Sequence, residues 1–320
     1  MQIEPEPTQD ASAAPRSWLN PLRNLAMLLL LAVLVGLGFR HAGELDRLAS
    51  ADPLLVAGMA ASVVAVRVIF SELTRHTLAA LGHRIAAFEV FALTVLSAVP
   101  NLLVPRSGFG ALGMALRARH GVPLATSGSL LLPLTVLDLI VVAGLGLAVQ
   151  ATLIGFERPH SELIAATFAA VLAASGVALF LRVQVPFAPP RLATFLANLG
   201  NAWRRLRRDR SFALRAIVML LAITGLRALR LELAFGALDV SPQLPGLLLA
   251  SLLGDVMFML ALTPGALGLR EAAIVYCAQL MGVTPAASLA AAVLDRLVMT
   301  LVILITAQLS AWKLFGRAVR

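Results

Sequence analysis

Long apolar runs separated by short polar connectors recur along most of the chain, and this pattern predicts its elements. A run of about 20 apolar residues forms a helix that can cross about 30 Å of hydrocarbon. By this criterion we predict eight long spans, at 24–39, 53–70, 85–104, 125–149, 162–182, 213–231, 245–262 and 286–311. The strict alternation typical of a transmembrane β-barrel is missing from the sequence. The pattern therefore predicts an all-α, polytopic integral membrane protein.

Two shorter stretches, 107–120 and 267–281, have helical periodicity but are too short to cross a bilayer comfortably alone. Each follows a proline and glycine break, which reads VPRSGFG at 104–110 and TPGALG at 263–268. We interpret them as broken or re-entrant helices, each of which carries the chain across together with a neighbour.

The distribution of arginine predicts the topology. The connector 183–212 contains a basic stretch at 202–210, and such stretches lie on the cytoplasmic face, where anionic lipid attracts them. If each short stretch gives a net crossing, both termini and the basic turns near Arg84 and Arg117 also lie in the cytoplasm. We interpret the stretch as a membrane-surface anchor, with a docking site for another protein as the alternative; its residues are Trp203, Arg204, Arg205, Arg207 and Arg208.

An internal repeat is indicated by matching residues around the two breaks. Each break has a proline, then a glycine, a Gly-Val step and a Val-Leu-Asp triplet, as in Pro105, Gly108, Gly121-Val122 and Asp138 against Pro264, Gly268, Gly282-Val283 and Asp295. Because the chain crosses an odd number of times between the breaks, the two halves are expected to be inverted copies. We predict a polar tail at 1–23 and one transmembrane domain at 24–320, with halves at 24–182 and 213–312 joined by the 183–212 linker.

Composition narrows the candidate chemistry. Charged residues make up 13% of the chain, against about 25% in soluble domains. Cys277 is the only cysteine, and the five histidines lack a ligand-like spacing, so we expect neither a metal nor a cofactor. The net charge is +9, and 25 of the 26 basic residues are arginine, whose guanidinium pairs bidentately with phosphate. We therefore expect membrane lipids as partners, rather than nucleic acid.

The two breaks are the candidate anion sites. A proline and glycine break frees backbone N–H groups at the start of the next helix, where the helix dipole also favours phosphate or carboxylate. Arg106 and Arg270 would add positive charge, and Glu271 could pair with an arginine or titrate. Gly268 is expected to let the backbone approach a ligand or a neighbouring helix closely. The alternative is a packed helix kink in which Arg270 and Glu271 pair with each other.

Charged residues within the predicted spans extend this interpretation, because such residues face partners or water. They include Arg67, Glu89, Asp138, Asp255 and the adjacent Asp295 and Arg296, and we expect about half of them to line a pathway. Arg227 and Arg230 lie near a predicted helix end, where snorkelling to the interface would account for them. The candidate lipid or anion pathway comprises Pro105, Arg106, Gly108, Asp138, Pro264, Gly265, Gly268, Arg270, Glu271, Asp295 and Arg296.

The segment TPGALGLREAAIVYCAQLMGVTPAASLAAAVLDRLV resembles the C-terminal signature of the lysylphosphatidylglycerol synthetase transmembrane, or flippase-like, family. The matching residues are Pro264, Gly265, Gly268, Glu271, Gly282, Val283 and Arg296. The first-half stretch PNLLVPRSGFGALGMALRARHGVP resembles the family's other motif at Pro105, Arg106 and Gly108. It departs from that motif at Phe109 to Met114, where the family often has an acidic residue and an arginine.

The resemblance implies a flippase-like domain without the aminoacyltransferase domain found in the two-domain members. The longest polar stretch has about 30 residues, whereas a domain needs about 50 or more, so no enzymatic activity is predicted. We expect a multi-pass protein of the inner membrane that translocates an anionic or isoprenoid-linked lipid. The alternative is a membrane scaffold, or partner, of an enzyme of envelope lipid or glycan biosynthesis.

Overall fold

The computed structural model describes residues 51–102, 104, 107–155, 161–180, 209–260 and 268–315. Within these ranges it has nine α-helices and no β-strand, which agrees with the predicted all-α class. They are α1 Pro53–Ala80, α2 Ala87–Ala98, α3 Ser107–His120, α4 Leu124–Val149, α5 Ser161–Phe180, α6 Arg210–Gly236, α7 Leu244–Leu260, α8 Leu269–Gln279 and α9 Pro285–Phe315. A short 3₁₀ turn, Pro100–Leu102, follows α2, and a π-helical turn, Gln150–Ile154, extends α4.

Five of the described helices (α1, α4, α5, α6 and α9) are long and apolar enough to cross a membrane. They confirm the predicted spans at 53–70, 125–149, 162–182, 213–231 and 286–311, so the chain is a multi-pass membrane protein. The stretches predicted as spans at 85–104 and 245–262 contain only the shorter apolar helices α2 and α7. The first predicted span, 24–39, lies outside the described residues, as do the 1–23 tail and residues 183–208 of the linker.

Local chemistry explains several helix ends. Asp52 caps α1 by accepting a hydrogen bond from the Leu54 N–H at 2.7 Å, and Pro53 occupies the first helical position. Asp209 caps α6 in the same way, and the hydroxyl of Ser211 also donates to its carboxylate at 2.7 Å, which lowers the pKa of Asp209. Helix α2 ends at Ala98, two residues before Pro100, which has no N–H with which to continue the helical hydrogen bonds. This stop explains why 85–104 does not form one long span.

Helices α2 and α3 form an antiparallel hairpin. At its open end Glu89, near the start of α2, lies 3.4 Å from Arg119 and 3.4 Å from His120, which end α3. At its tip the N–H of Gly108 donates to the side-chain oxygen of Asn101 at 2.6 Å. The chain therefore enters and leaves this hairpin at the same end of the bundle.

Helices α7 and α8 form a second antiparallel hairpin. Gly246, near the start of α7, faces Met281 just after α8, and Gly254 faces Arg270 and Ile274 in α8. Helices α3 and α8 are the two short helices that the breaks predicted, whereas α2 and α7 lie in stretches predicted as long spans. Each hairpin therefore turns back beside one of the two predicted breaks.

Contacts at the helix ends order the bundle. Helices α1 and α6 are antiparallel, since the Asp52 N–H donates to the Ala237 carbonyl and the Ser62 hydroxyl to the Leu226 carbonyl, at 3.2 and 2.8 Å. At the far end of α9 the ammonium of Lys313 lies 5.3 Å from the centre of the Phe88 ring, at the start of α2. The end of α1, the open end of the α2–α3 hairpin, the start of α6 and the end of α9 therefore share one face of the bundle. The α7–α8 hairpin opens at the opposite face, where α6 ends.

All described residues belong to one compact unit, Gly43–Arg320, whose helices pack through apolar side chains and small residues. Besides the two hairpins and α1 with α6, the packed pairs include α4 with α5, α8 with α9, α4 with α7, α2 with α9, α1 with α2, and α9 with both α1 and α6. At Gly146 in α4, an added Cβ would lie 2.4 Å from the ring of Phe168 in α5. Such small residues let membrane helices approach closely, and the close packing fixes the positions of the charged side chains described next.

Candidate functional site

The second break is organised around Glu271, which is buried at the start of α8. One oxygen of its carboxylate accepts from Nε of Arg296 in α9 at 2.5 Å. The other accepts from the N–H of Gly268 at 2.8 Å, which is half of a capping box at the helix start. The sequence predicted that backbone N–H groups at this helix start bind a lipid head group. The N–H of Gly268 is instead already hydrogen-bonded within the chain.

Asp295, in the middle of α9, is fully buried and holds two arginines. Its Oδ1 lies 2.5 Å from Nε of Arg230 in α6, and its Oδ2 lies 2.8 Å from Nη1 of Arg270 in α8. One carboxylate thus joins three helices. Buried charges of this kind are tolerated only when they are paired and hydrogen-bonded.

Arg227 lies one turn before Arg230 on the same face of α6. Its Nη1 lies 3.3 Å from Asp255 in α7 and 3.6 Å from Asp138 in α4. These contacts connect α4 and α7 to the helices that meet at Asp295. The sequence predicted that both arginines of α6 snorkel to the interface, and this prediction is wrong. The packing of five helices brings carboxylates to them inside the bundle.

Arg67 in α1 completes the group. It is close enough to Arg227 and Arg230 to be repelled by both, and no carboxylate of the described residues pairs with it. Its Nε is buried without a hydrogen-bond partner, as is Oδ1 of Asp138. We call the nine side chains the charge cluster: Arg67, Asp138, Arg227, Arg230, Asp255, Arg270, Glu271, Asp295 and Arg296.

The pairing in the charge cluster corrects one alternative from the sequence. Arg270 and Glu271 do not pair with each other, and neither do Asp295 and Arg296. Successive residues of a helix point in different directions, whereas side chains of two packed helices can meet. The two dipeptides therefore pair across α8 and α9, Arg270 with Asp295 and Glu271 with Arg296.

The two motif glycines serve different purposes. Gly268 has a φ of +85°, which other residues rarely adopt, yet no described atom lies within 4 Å of where its Cβ would be. Its backbone conformation, rather than the expected close approach, is what requires glycine there. At Gly108 a Cβ would lie 2.3 Å from the Ser97 carbonyl oxygen, so in the first hairpin close packing requires glycine.

The first hairpin does not repeat the charges of the second. Two and three residues after Gly108 stand Gly110 and Ala111, in the places that Arg270 and Glu271 hold after Gly268. Asn101, a neutral side chain, accepts the Gly108 N–H where the carboxylate of Glu271 accepts the Gly268 N–H. The departure from the family pattern noted in the sequence thus removes the acidic and basic pair from this hairpin.

The structure brings together five of the predicted pathway residues: Asp138, Arg270, Glu271, Asp295 and Arg296. Gly268 caps the same helix, and Gly108 lies at the tip of the other hairpin. Glu89 lies instead at the open end of that hairpin. The remaining predicted residues lie outside the described part of the chain; they are Pro105, Arg106, Pro264 and Gly265 of the pathway, and Trp203, Arg204, Arg205, Arg207 and Arg208 of the surface anchor.

Four members of the charge cluster were left out of the predicted pathway: Arg67, Arg227, Arg230 and Asp255. The sequence contained a signal for two of them, because the spacing of Arg227 and Arg230 places them on one face of a helix. Arg67 and Asp255 were recognised as charges inside spans, but their neighbours come from helices far apart in the sequence.

These features define a class: a polytopic α-helical membrane protein with a cluster of paired charges inside the bundle and two helical hairpins. The chain belongs to the family described as the lysylphosphatidylglycerol synthase TM region, whose sequence profile matches residues 24–307. Membership places it among membrane proteins of lipid-related processes and confirms the resemblance seen in the sequence. Comparison with curated proteins and with solved structures finds no match in either set.

Proposed function

We propose that this protein translocates an anionic or isoprenoid-linked lipid across the inner membrane, in the manner of a flippase. The observation that carries the proposal is the charge cluster, which places five arginines and four carboxylates from α1, α4, α6, α7, α8 and α9 inside an apolar bundle. Charged residues at this depth are costly and commonly mark the path of a substrate or ion. A lipid whose head group passes such a cluster leaves its acyl chains in the surrounding bilayer.

The order of the helices supports the inverted repeat that the residues around the two breaks indicated. Helices α1 to α4 have the same order as α6 to α9: a long helix, a two-helix hairpin and a second long helix. The first hairpin opens at one face of the bundle and the second at the other. The long helices α4, α5 and α6 lie between them in the described chain, and this is an odd number.

Exchanged packing supports the same repeat. In this repeat α4 corresponds to α9. If a two-fold axis relates the halves, α4 must pack on the second half in the same way that α9 packs on the first half. Helix α4 packs against α7, and α9 packs against α2, which are the two expected partners. Helices α1 and α6 pack on each other, as corresponding helices at the axis would. In transporters of this construction the binding site lies where the halves meet, and the charge cluster joins helices of both halves.

The charges favour transport over catalysis. Each of the four carboxylates in the charge cluster pairs with an arginine of the same cluster, so each negative charge already has a partner within the protein. Guanidinium groups suit phosphate, which anionic and isoprenoid-linked lipids carry. We therefore propose a transport role without enzymatic activity.

Basic side chains support the orientation in the membrane. Arg75 near the end of α1, Arg117 near the end of α3 and Lys313 near the end of α9 lie at the same face of the bundle. Positive residues collect on the cytoplasmic side of bacterial inner-membrane proteins. We propose that this face is cytoplasmic and that both termini lie on that side.

A reconstitution assay tests the function. Purified protein in vesicles with fluorescent phospholipids or lipid-linked sugars should expose the inner-leaflet label to an external quencher faster than empty vesicles do. A variant with both Asp295→Asn and Arg230→Gln, which disrupts the charge cluster, is the control. If no lipid moves faster than in empty vesicles, translocation is wrong and the scaffold role gains support. Capture of a specific envelope-biosynthesis enzyme, lost when Arg204, Arg205, Arg207 and Arg208 become glutamine, would then test that role.

A further inference from the structure

The charge cluster is not balanced. Its four carboxylates are engaged by Arg227, Arg230, Arg270 and Arg296, and this leaves Arg67 as the one cation of the cluster without a carboxylate. With every group ionised, the described cluster carries one excess positive charge. An uncompensated charge inside an apolar bundle destabilises the fold, so a role beyond packing is needed to account for Arg67.

Helix register places Arg67, which is half-buried, at the level of the cluster. The contact between Ser62 and the Leu226 carbonyl sets the register of the antiparallel helices α1 and α6. Arg67 lies five residues beyond Ser62, about one and a half turns, and side chains of a helix tilt toward its N-terminus. Its guanidinium therefore extends back toward the level of Arg227 and Arg230.

The Nε of Arg67 is also a buried donor without an acceptor. A buried donor left unpaired is costly, and nearly all such groups in native proteins have partners. A group that supplies one negative charge and acceptor oxygens would satisfy the donor, balance the cluster and relieve the repulsion among three arginines. A phosphodiester has this chemistry, because it carries one negative charge and guanidinium binds its oxygens in a two-pronged manner.

We propose that Arg67 is the residue that binds the phosphodiester of the transported lipid, and that the preferred substrate is a lipid with a net negative head group. This inference rests on the proposed translocation and narrows its substrate class. A zwitterionic or cationic head group would bring no net negative charge and would leave the excess charge of the cluster in place.

Thermal unfolding of the purified full-length protein in detergent tests the binding directly. Phosphatidylglycerol added to the micelles should raise the melting temperature of the wild type by about 2 °C or more, whereas phosphatidylcholine should not. Arg67→Gln should melt higher than the wild type without lipid, since it removes the uncompensated charge, and should lose the response to phosphatidylglycerol. Arg67→Lys keeps the positive charge but loses the two-pronged guanidinium. Phosphatidylglycerol should therefore raise its melting temperature less than it raises that of the wild type.

Arg117→Gln is the matched control, because Arg117 is an exposed arginine outside the cluster, and it should respond to phosphatidylglycerol as the wild type does. An undiminished response in Arg67→Gln would overturn the inference. So would equal stabilisation by inorganic phosphate, which would indicate a site for the free anion. A wild type that responds through Arg67 but moves no lipid in vesicles would support the binding site and overturn only the translocation.

Discussion

The carboxylate of Glu271 joins the start of α8 to the middle of α9: one oxygen lies 2.5 Å from Nε of Arg296, and the other accepts the N–H of Gly268 at 2.8 Å. A single side chain thereby caps a helix and forms a buried ion pair. Its two bonds hold the second hairpin at a fixed angle to a long membrane helix, which supports a structural role for this residue whatever the hairpin binds.

Glu271→Gln should destabilise the protein, because the amide keeps an acceptor for Gly268 but removes the negative charge that pairs with buried Arg296. Breaking one partner of a buried pair costs about 3–5 kcal/mol. Arg296→Gln should cost a similar amount, and the double variant should cost clearly less than the sum of the two. Unfolding by a denaturing detergent measures all three. Additive losses would show that the two side chains do not depend on each other.

Asp295→Asn should be more damaging than Asp255→Asn. The first change deprives both Arg230 and Arg270 of their carboxylate, a loss of about 3–5 kcal/mol or more. The second leaves Arg227 with Asp138 as its remaining partner. Expression level and melting temperature of the two variants, compared side by side, test this order. Equal losses would contradict the pairing described here.

The two motif glycines should respond differently to alanine. Gly108→Ala places a Cβ against the Ser97 carbonyl, and such overpacking costs about 1–3 kcal/mol or more. Gly268→Ala meets no described atom and adds only the strain of a left-handed residue, about 1–2 kcal/mol. Gly110→Ala, at an exposed position of α3 with ordinary helical geometry, is the control and should be neutral or stabilising. Melting temperatures decide the order, and a harmless Gly108→Ala would contradict the close packing of the first hairpin.

Cysteine labelling tests the arrangement of the hairpins. In a background in which the buried Cys277 is replaced by alanine, single cysteines at Arg117 and Lys313 should react with a membrane-impermeant reagent only when the cytoplasmic face is accessible. A cysteine at Ser241, in the exposed turn before α7, should react from the opposite face. Labelling of all three from one side would rule out hairpins that open at opposite faces.

The break sequences predicted where the chain departs from simple spans, although not how. Proline and glycine at 104–110 and 263–268 predicted two interruptions, and each is adjacent to a short helix that begins there. Apolar length alone suggested that 85–104 crosses the membrane. Hydropathy does not show how such a stretch packs; the contact of Glu89 with Arg119 and His120 shows that α2 and α3 lie side by side as a hairpin.

The sequence by itself determined that this is a multi-pass α-helical membrane protein of a particular family. Those properties follow from the length and polarity of runs and from local motifs, which need no knowledge of distant neighbours. Only the tertiary structure decided that Arg270 pairs with Asp295, that Glu271 pairs with Arg296, and that Arg67 is left over. A charge inside a span must have a partner, but which partner it has depends on the helices that pack beside it, and these can be distant in the chain, as Asp138 is 89 residues before Arg227.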